Sequence, residues 1–272
     1  MADYQKKSKY TRAEIDAYLD RARGVSNPNL LDNWYFGNPV NQRGQTSYSG
    51  AGYTIDRWMN EHSDKVVVTL ENGLLKLTFS GVTTYMQKVQ VPVGIQVTCS
   101  VLVENIDGEL YILWQDIEGY TDTHELKLSQ GMNTLTATTT KKNCRFCIYS
   151  NTESNKTISL KAVKLELGSQ QTLAHQENGV WVLNEIPDYG EQLARCQRYL
   201  WIPSADLQFL THLQDGAYKA TVVFPVEMRT TPSITATSNT GVFNFASYSS
   251  GFIFDVGSIQ GTIRNLKVTA EL

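Results

Sequence analysis

Along most of this chain, apolar and polar residues alternate with a period of two, the spacing that sets one side of a β-strand on a core and the other in water. Such runs cover 65–70, 74–79, 84–89, 96–104, 109–115, 124–128, 133–138, 145–149 and 158–167. Glu71-Asn72-Gly73, Ile106-Asp107-Gly108 and Ser129-Gln130-Gly131 separate them as turns, since Gly and Asn accept the positive φ that tight turns require. So many short antiparallel strands in one stretch predict a jelly-roll sandwich. A second set at 207–213, 216–224, 233–237, 241–248, 251–256 and 261–271, punctuated by Asp215-Gly216 and Ser250-Gly251, predicts a smaller sandwich.

Helical spacing occurs twice. Thr11 and Glu14 form a capping box, and Ile15, Tyr18, Leu19 and Ala22 recur on one face before Gly24. A helix this short is marginal alone, so its stripe should lie on the first sandwich, or on copies of itself or the stalk of a larger particle. The second place is the joint between the two strand sets. Val163, Leu165 and Leu167 alternate with Lys164, Glu166 and Gly168, which predicts a half-buried closing strand with its apolar side on a core. An irregular crossing follows, with one short strand over Val180–Leu183. Then Ile186-Pro187 stops any strand, and Asp188 with Glu191 starts a helix that ends before Pro203. Leu193, Cys196 and Leu200 share one face of it, with Tyr189 a turn earlier, while Glu191, Gln192, Arg195 and Arg198 are expected to point away. The chain thus reads as all-β: a helix and linker over 1–28, a jelly roll over 29–168, a connector with a helix over 169–203, and a second sandwich over 204–272. Residues 29–168 are expected to fold alone.

Composition narrows the function. Of 272 residues, 41% are apolar and 19% charged, which suits a globular protein long enough for two cores. A net charge of −3 without a cluster of Lys and Arg argues against binding a nucleic-acid backbone. No run of apolar residues is long enough to span a membrane, and MADYQKKSKY has no apolar signal core, so synthesis in a cytoplasm is expected.

Candidate chemistry is sparse. Cys144 and Cys147 have the spacing of a metal or redox pair, but residues three apart on a strand face opposite ways. His62, His124, His175 and His212 are isolated, and no nucleophile elbow, phosphate loop or dinucleotide fingerprint occurs. A non-catalytic protein is expected. Aromatic residues remain, because sugar rings stack on Tyr and Trp while amides and carboxylates take the hydroxyls. Tyr111, Trp114 and Tyr120 lie on one strand and its following loop around Gln115 and Asp116, and Tyr248 stands at a hairpin tip. Trp114 has a second reading: in register with Leu110 and Ile112, it fills the core.

Two segments carry a resemblance. NLLDNWYFGNPVNQRG followed by GYTIDRWM, within Asn29 to Met59, is similar to the opening of a carbohydrate-binding-module-like sandwich in fibre proteins of tailed phages and prophages. KLELGS, a looped crossing and YGEQLARCQRYL resemble the joint between two domains of such fibres, and FPVEMRTTPSITAT resembles their terminal domain. The resemblance implies a tail-fibre component, built into the virion tail, that attaches to bacterial surface polysaccharide. It also implies a homotrimer, held through the joint helix and second domain and joined to other tail components by the N-terminal segment. Related jelly rolls often hold a structural calcium near the first and last strands, but here the closing strand offers Lys161 and Lys164. Two other readings stay open: a binding module detached from a polysaccharide-degrading enzyme, and a purely architectural virion protein.

Overall fold

The computed structural model describes residues 26–62, 64–214, 217–238, 242–256 and 260–271. The helix expected after Thr11 lies outside the described residues. Twelve strands build the first sandwich. They are β1 (Ser47–Tyr48), β2 (Gly52–Tyr53), β3 (Met59–Asn60), β4 (Val66–Glu71), β5 (Leu74–Phe79), β6 (Thr83–Gln90), β7 (Gln96–Asp107), β8 (Tyr111–Asp116), β9 (Thr123–Lys127), β10 (Gly131–Thr138), β11 (Asn143–Ser150) and β12 (Lys156–Leu167). One six-stranded sheet has the order β1-β4-β5-β12-β7-β10, the other β2-β3-β6-β11-β8-β9. The expected strands are present, most of them longer by a residue or more, because the ladders continue into the turns.

The inner faces meet in one core. Leu75, Leu77 and Phe79 of β5 and Val97, Cys99 and Val101 of β7 are fully buried against Tyr85, Ile112, Phe146 and Ile148 of the second sheet. Each such side chain contributes on the order of 1.5–3 kcal/mol. Trp58 fills the centre, stacked on Tyr85 at 5.4 Å and edge-on to Phe146 at 6.1 Å. Cys144 faces this core while Cys147 lies on the opposite side of β11, and both are free thiols. Burial pushes the Cys144 thiol up to about 11 and the Cys147 thiol up to about 12.

The outer side of the first sheet is covered by the chain itself around β7 and β12, while Val67, Thr134 and Thr136 on its flanking strands stay exposed. Beyond β12, a hairpin of β13 (Ala174–Glu177) and β14 (Val180–Leu183) folds back, turning at Asn178 and Gly179 with φ of 51° and 80°. An Asn-Gly pair prefers this turn, and β13 is the partner that the sequence reading missed. Leu173 and Ala174 extend the first core beyond Gly168. Beneath this crossing, Lys164 and Glu166 have no exposed side-chain surface. The Lys164 ammonium donates to Ser26 Oγ at 2.6 Å, Thr172 Oγ1 at 2.9 Å and Glu185 Oε1 at 3.2 Å. Glu166 accepts from the Thr172 backbone N–H at 2.7 Å. The expected half-buried closing strand is therefore buried on both sides. Leu167, expected on the core side, is 37% exposed.

The joint helix, α1 (Tyr189–Gln197), begins as expected, with Asp188 accepting from the Glu191 N–H at 2.9 Å. Its polar side is corrected: Gln192 is buried, and Arg195, though half-exposed, bonds to the first sandwich. Gln192 Oε1 accepts from the Asn33 N–H at 2.8 Å, and Arg195 pairs with Asp32 at 2.8 Å. These positions look solvated by helical spacing, yet they meet a polar surface of the first sandwich instead of an apolar one. Arg43 Nη2 also donates to both carboxylate oxygens of Glu271, at 2.9 and 2.8 Å.

The second sandwich comprises β15 (Leu200–Trp201), β16 (Leu207–Leu210), β17 (His212–Gln214), β18 (Ala217–Val223), β19 (Ser233–Ser238), β20 (Val242–Tyr248), β21 (Gly251–Val256) and β22 (Gln260–Thr269). One sheet pairs β15, β16 and β19 with β22, and the other runs β17-β18-β21-β20. Their core is separate from the first and holds Phe252, Phe254, Ile263 and Val268, with Phe209 edge-on to Phe254 at 5.0 Å.

Candidate ligand-binding face

Among the described residues, no hairpin lies over the outer side of the second sheet as one lies over the first. Strand parity sets what stands there. On β11, alternate residues Arg145, Cys147 and Tyr149 point outward, and register places them across from Lys88, Met86 and Thr84 of β6 and from Gln115, Leu113 and Tyr111 of β8. Met86, Leu113 and Cys147 form a small apolar floor, bordered by Met59 and Tyr149. Water is kept off it by longer side chains lying across. Arg145 reaches over Met86 to Glu61 at 2.6 Å and donates to Gln115 Oε1 at 2.9 and 2.6 Å. Gln115 in turn donates to Thr123 Oγ1 at 2.8 Å. Burial by itself would raise the Glu61 carboxyl, but the Thr84 hydroxyl and the Arg145 charge outweigh it and hold the group below its ordinary range.

The loop after β8 brings Tyr120 over this lattice. Asp116, nearly buried, accepts N–H bonds from Glu118 and Tyr120 at 3.0 and 3.2 Å through one oxygen. Its other oxygen takes those of Thr121 and Asp122 at 2.8 and 2.7 Å. These backbone donors, Asp122 foremost, hold the carboxyl below its usual range. They also hold Tyr120 at φ 58°, a left-handed conformation that costs a non-glycine residue on the order of 1 kcal/mol. The ring lies with the Arg145 guanidinium 4.8 Å from its centroid and remains 54% exposed. Tyr111 stands beside Tyr149, centroids 6.4 Å apart. The face thus offers two kinds of aromatic platform, with charged and amide groups between them.

Of the four aromatic candidates, Tyr111 and Tyr120 belong to this face. Trp114 does not: only 1% exposed, it points into the core with Leu110 and Ile112, so as a stacking residue it is corrected. Tyr248 belongs to the other sandwich, where it is 54% exposed. Sequence reasoning missed Arg145, Glu61 and Tyr149. The signal was present in the outward parity of β11, where Arg145 and Tyr149 occupy alternate positions around Cys147. Among the described residues no group of three or more His, Cys, Asp or Glu side chains is arranged to hold a metal ion. At the closing strand, the cation among oxygen atoms is the Lys164 ammonium.

No protein-family profile and no curated protein matches this chain. Solved structures do. BiXyn10A CBM1 in its apo form is 14% identical, with a TM-score of 0.34, over 43% of this chain and 99% of its own. A CBM4 structure is 12% identical, with a TM-score of 0.34, over 51% and 99%. The enzymatically active domain of tailspike protein 4 from bacteriophage CBA120 is 12% identical, with a TM-score of 0.31, over 51% of this chain and 21% of its own. Solved structures that this chain resembles thus include carbohydrate-binding modules and a phage tailspike domain.

Proposed function

We propose that the protein is a non-catalytic glycan-binding component of a phage or prophage tail fibre, and that the open face of its second sheet takes the sugar. The observation that carries this reading is Tyr120, an exposed ring fixed over Arg145 by the bonds to Asp116. Beside it, Tyr111 and Tyr149 offer ring surface, and Gln115, Thr123 and Glu61 offer groups for hydroxyls. The fibre role is supported by the words at Asn29 to Met59 and by the joint. Homotrimerisation is supported by the outer side of the β17-β18-β21-β20 sheet, where Val223 and Tyr248, in register with Gly251 between them, are 74% and 54% exposed. Assembly in the virion tail follows from the same reading.

A bacterial glycan array probed with the full chain and with Tyr120→Ala tests the sugar site. Binding is expected for the parent and should weaken in the variant; binding indifferent to Tyr120 and Tyr111 would move the site elsewhere. Light scattering tests the fibre: a trimer has a mass of about 90 kDa. A mass of 30.5 kDa, one chain, would favour a module detached from an enzyme.

A further inference from the structure

Two hollows of this molecule lie at the joint, the smaller one reaching the Lys88–Gln90 end of β6. One, of about 530 Å³, runs between α1 and the segment after β18, with Arg195, Arg198, Glu227 and Arg229 in its walls. A smaller one, about 150 Å³, shares Arg229 and adds Asp32, Arg57, Lys88 and Tyr199. Together the walls carry five cationic side chains and two carboxylates, in a chain whose net charge is −3. Both carboxylates have partners. Asp32 is shared by Arg57 at 3.1 Å and Arg195 at 2.8 Å, and Glu227 accepts from the Ser249 hydroxyl at 2.9 Å.

Arg198 and Arg229 are different. Among the described residues neither guanidinium has a carboxylate within ion-pair distance, and Arg229 has only the Tyr199 ring, 5.9 Å away. Their backbones are pinned to one another, the Arg229 N–H donating to the Arg198 carbonyl at 2.8 Å, and Met228 N–H is fixed on Ser249. Both arginines are exposed at the groove, and the carboxylate in its wall, Glu227, is bonded to Ser249. A guanidinium is a planar fork whose paired N–H groups match a carboxylate or phosphate two-pronged. The larger hollow also falls within the about 300–1,000 Å³ common for small-ligand sites.

We infer that this groove binds the anionic group of an acidic glycan, a uronate carboxylate or a sugar phosphate, through Arg198 and Arg229. The inference rests on the glycan-binding reading but uses different residues, so the two fail separately. The bound anion gives both guanidiniums a partner, and the sugar that carries it lies along α1.

The test is calorimetry on the full chain with a panel of uronate- and phosphate-bearing oligosaccharides, their neutral counterparts and inorganic phosphate, at two salt concentrations. At least one acidic member should bind more tightly than its neutral counterpart, and the difference should shrink in high salt. Arg198→Gln with Arg229→Gln should reduce that acidic affinity about tenfold, the loss expected when a charge-assisted fork is removed. The same double variant should leave neutral-sugar binding and the melting temperature unchanged, whereas Tyr120→Ala should reduce neutral-sugar binding. No acidic preference, or one that survives the double substitution, would overturn the inference. Inorganic phosphate binding as tightly as the acidic sugars would also overturn it, since the groove would then hold a free anion. Loss of all sugar binding in Tyr120→Ala, with the acidic preference gone as well, would place both sugars on the open sheet.

Discussion

The two outer sides of the first sandwich answer the same physical problem differently. On the first sheet, the charges of Lys164 and Glu166 are hidden beneath residues 169–185, paired and bonded, with no surface left to a ligand. On the second, the charges of Arg145 and Glu61 lie over an apolar floor and are themselves the roof, with Tyr120 as the outermost ring. A buried charge sealed by its own chain serves the fold. A charge that roofs an open face can exchange its partners for a ligand without unfolding anything. Under the proposed function, this contrast puts stability on one side and binding on the other.

The largest effect should come from removing the cover. A fragment of residues 29–168 lacks Ser26, Thr172 and Glu185, the partners of Lys164, together with Leu173 and Ala174 of the core. These losses replace the sequence expectation that 29–168 folds alone: we expect it to be molten or insoluble, while residues 26–185 should melt cooperatively; equal behaviour of the two in thermal unfolding would show that the crossing adds nothing. Next is Lys164→Met in the full chain. It strands the Glu166 carboxylate in a buried place, and breaking such a pair from one side costs about 3–5 kcal/mol. Urea unfolding measures it, and a change below about 1 kcal/mol, the range of exposed pairs, would contradict the sealed geometry.

On the open side, Arg145→Ala should cost less, about 1.5–3 kcal/mol for lost charge-assisted bonds, because water can reach Glu61 and Gln115 once the roof is gone. It should nevertheless reduce glycan binding more than Tyr120→Ala, whose stacking is worth on the order of 1 kcal/mol. If titration of the two variants gave the reverse order, the roof would not be part of the site.

The smallest effect is acid sensitivity. The folded Asp116 carboxyl titrates below its unfolded value, so its contribution to stability is present above the unfolded pKa and is lost as pH falls through the folded one. The Tyr120 loop should therefore hold at pH 5, above the ordinary carboxylate value of about 3.9, and loosen only in stronger acid. Asp56 and Glu271, raised chiefly by burial, have the opposite sign: what they contribute is greatest in acid and is lost as pH rises through their folded values. Hydrogen exchange of the Tyr120 and Asp122 amides with pH would show a loop that loosens before the joint does.

The strands were legible because alternation and Gly or Asn turns mark them, and Tyr120 was legible as an aromatic residue in a loop. Trp114 could be read two ways from its position alone, and only the parity of β8 against a formed core decides between them. Gln192 and Arg195 were misread because helical spacing identifies an apolar stripe, while the contact they make is polar. The 174–177 strand was hidden because Ala-His-Gln-Glu has no apolar alternation, although the Asn-Gly turn beside it was in view. Arg145 was masked by the attention that its flanking cysteines attract.

The methionines offer the most direct test of where the sugar binds. Met59 and Met86 lie at and beneath the open face, Met132 is on β10 of the covered sheet, and Met228 lines the joint groove. Titrating a neutral glycan identified on the array into methyl-labelled protein should shift the Met59 and Met86 resonances and leave those of Met132 and Met228 in place. Shifts at Met132 or Met228, with Met59 and Met86 unmoved, would contradict the assignment of binding to the open sheet.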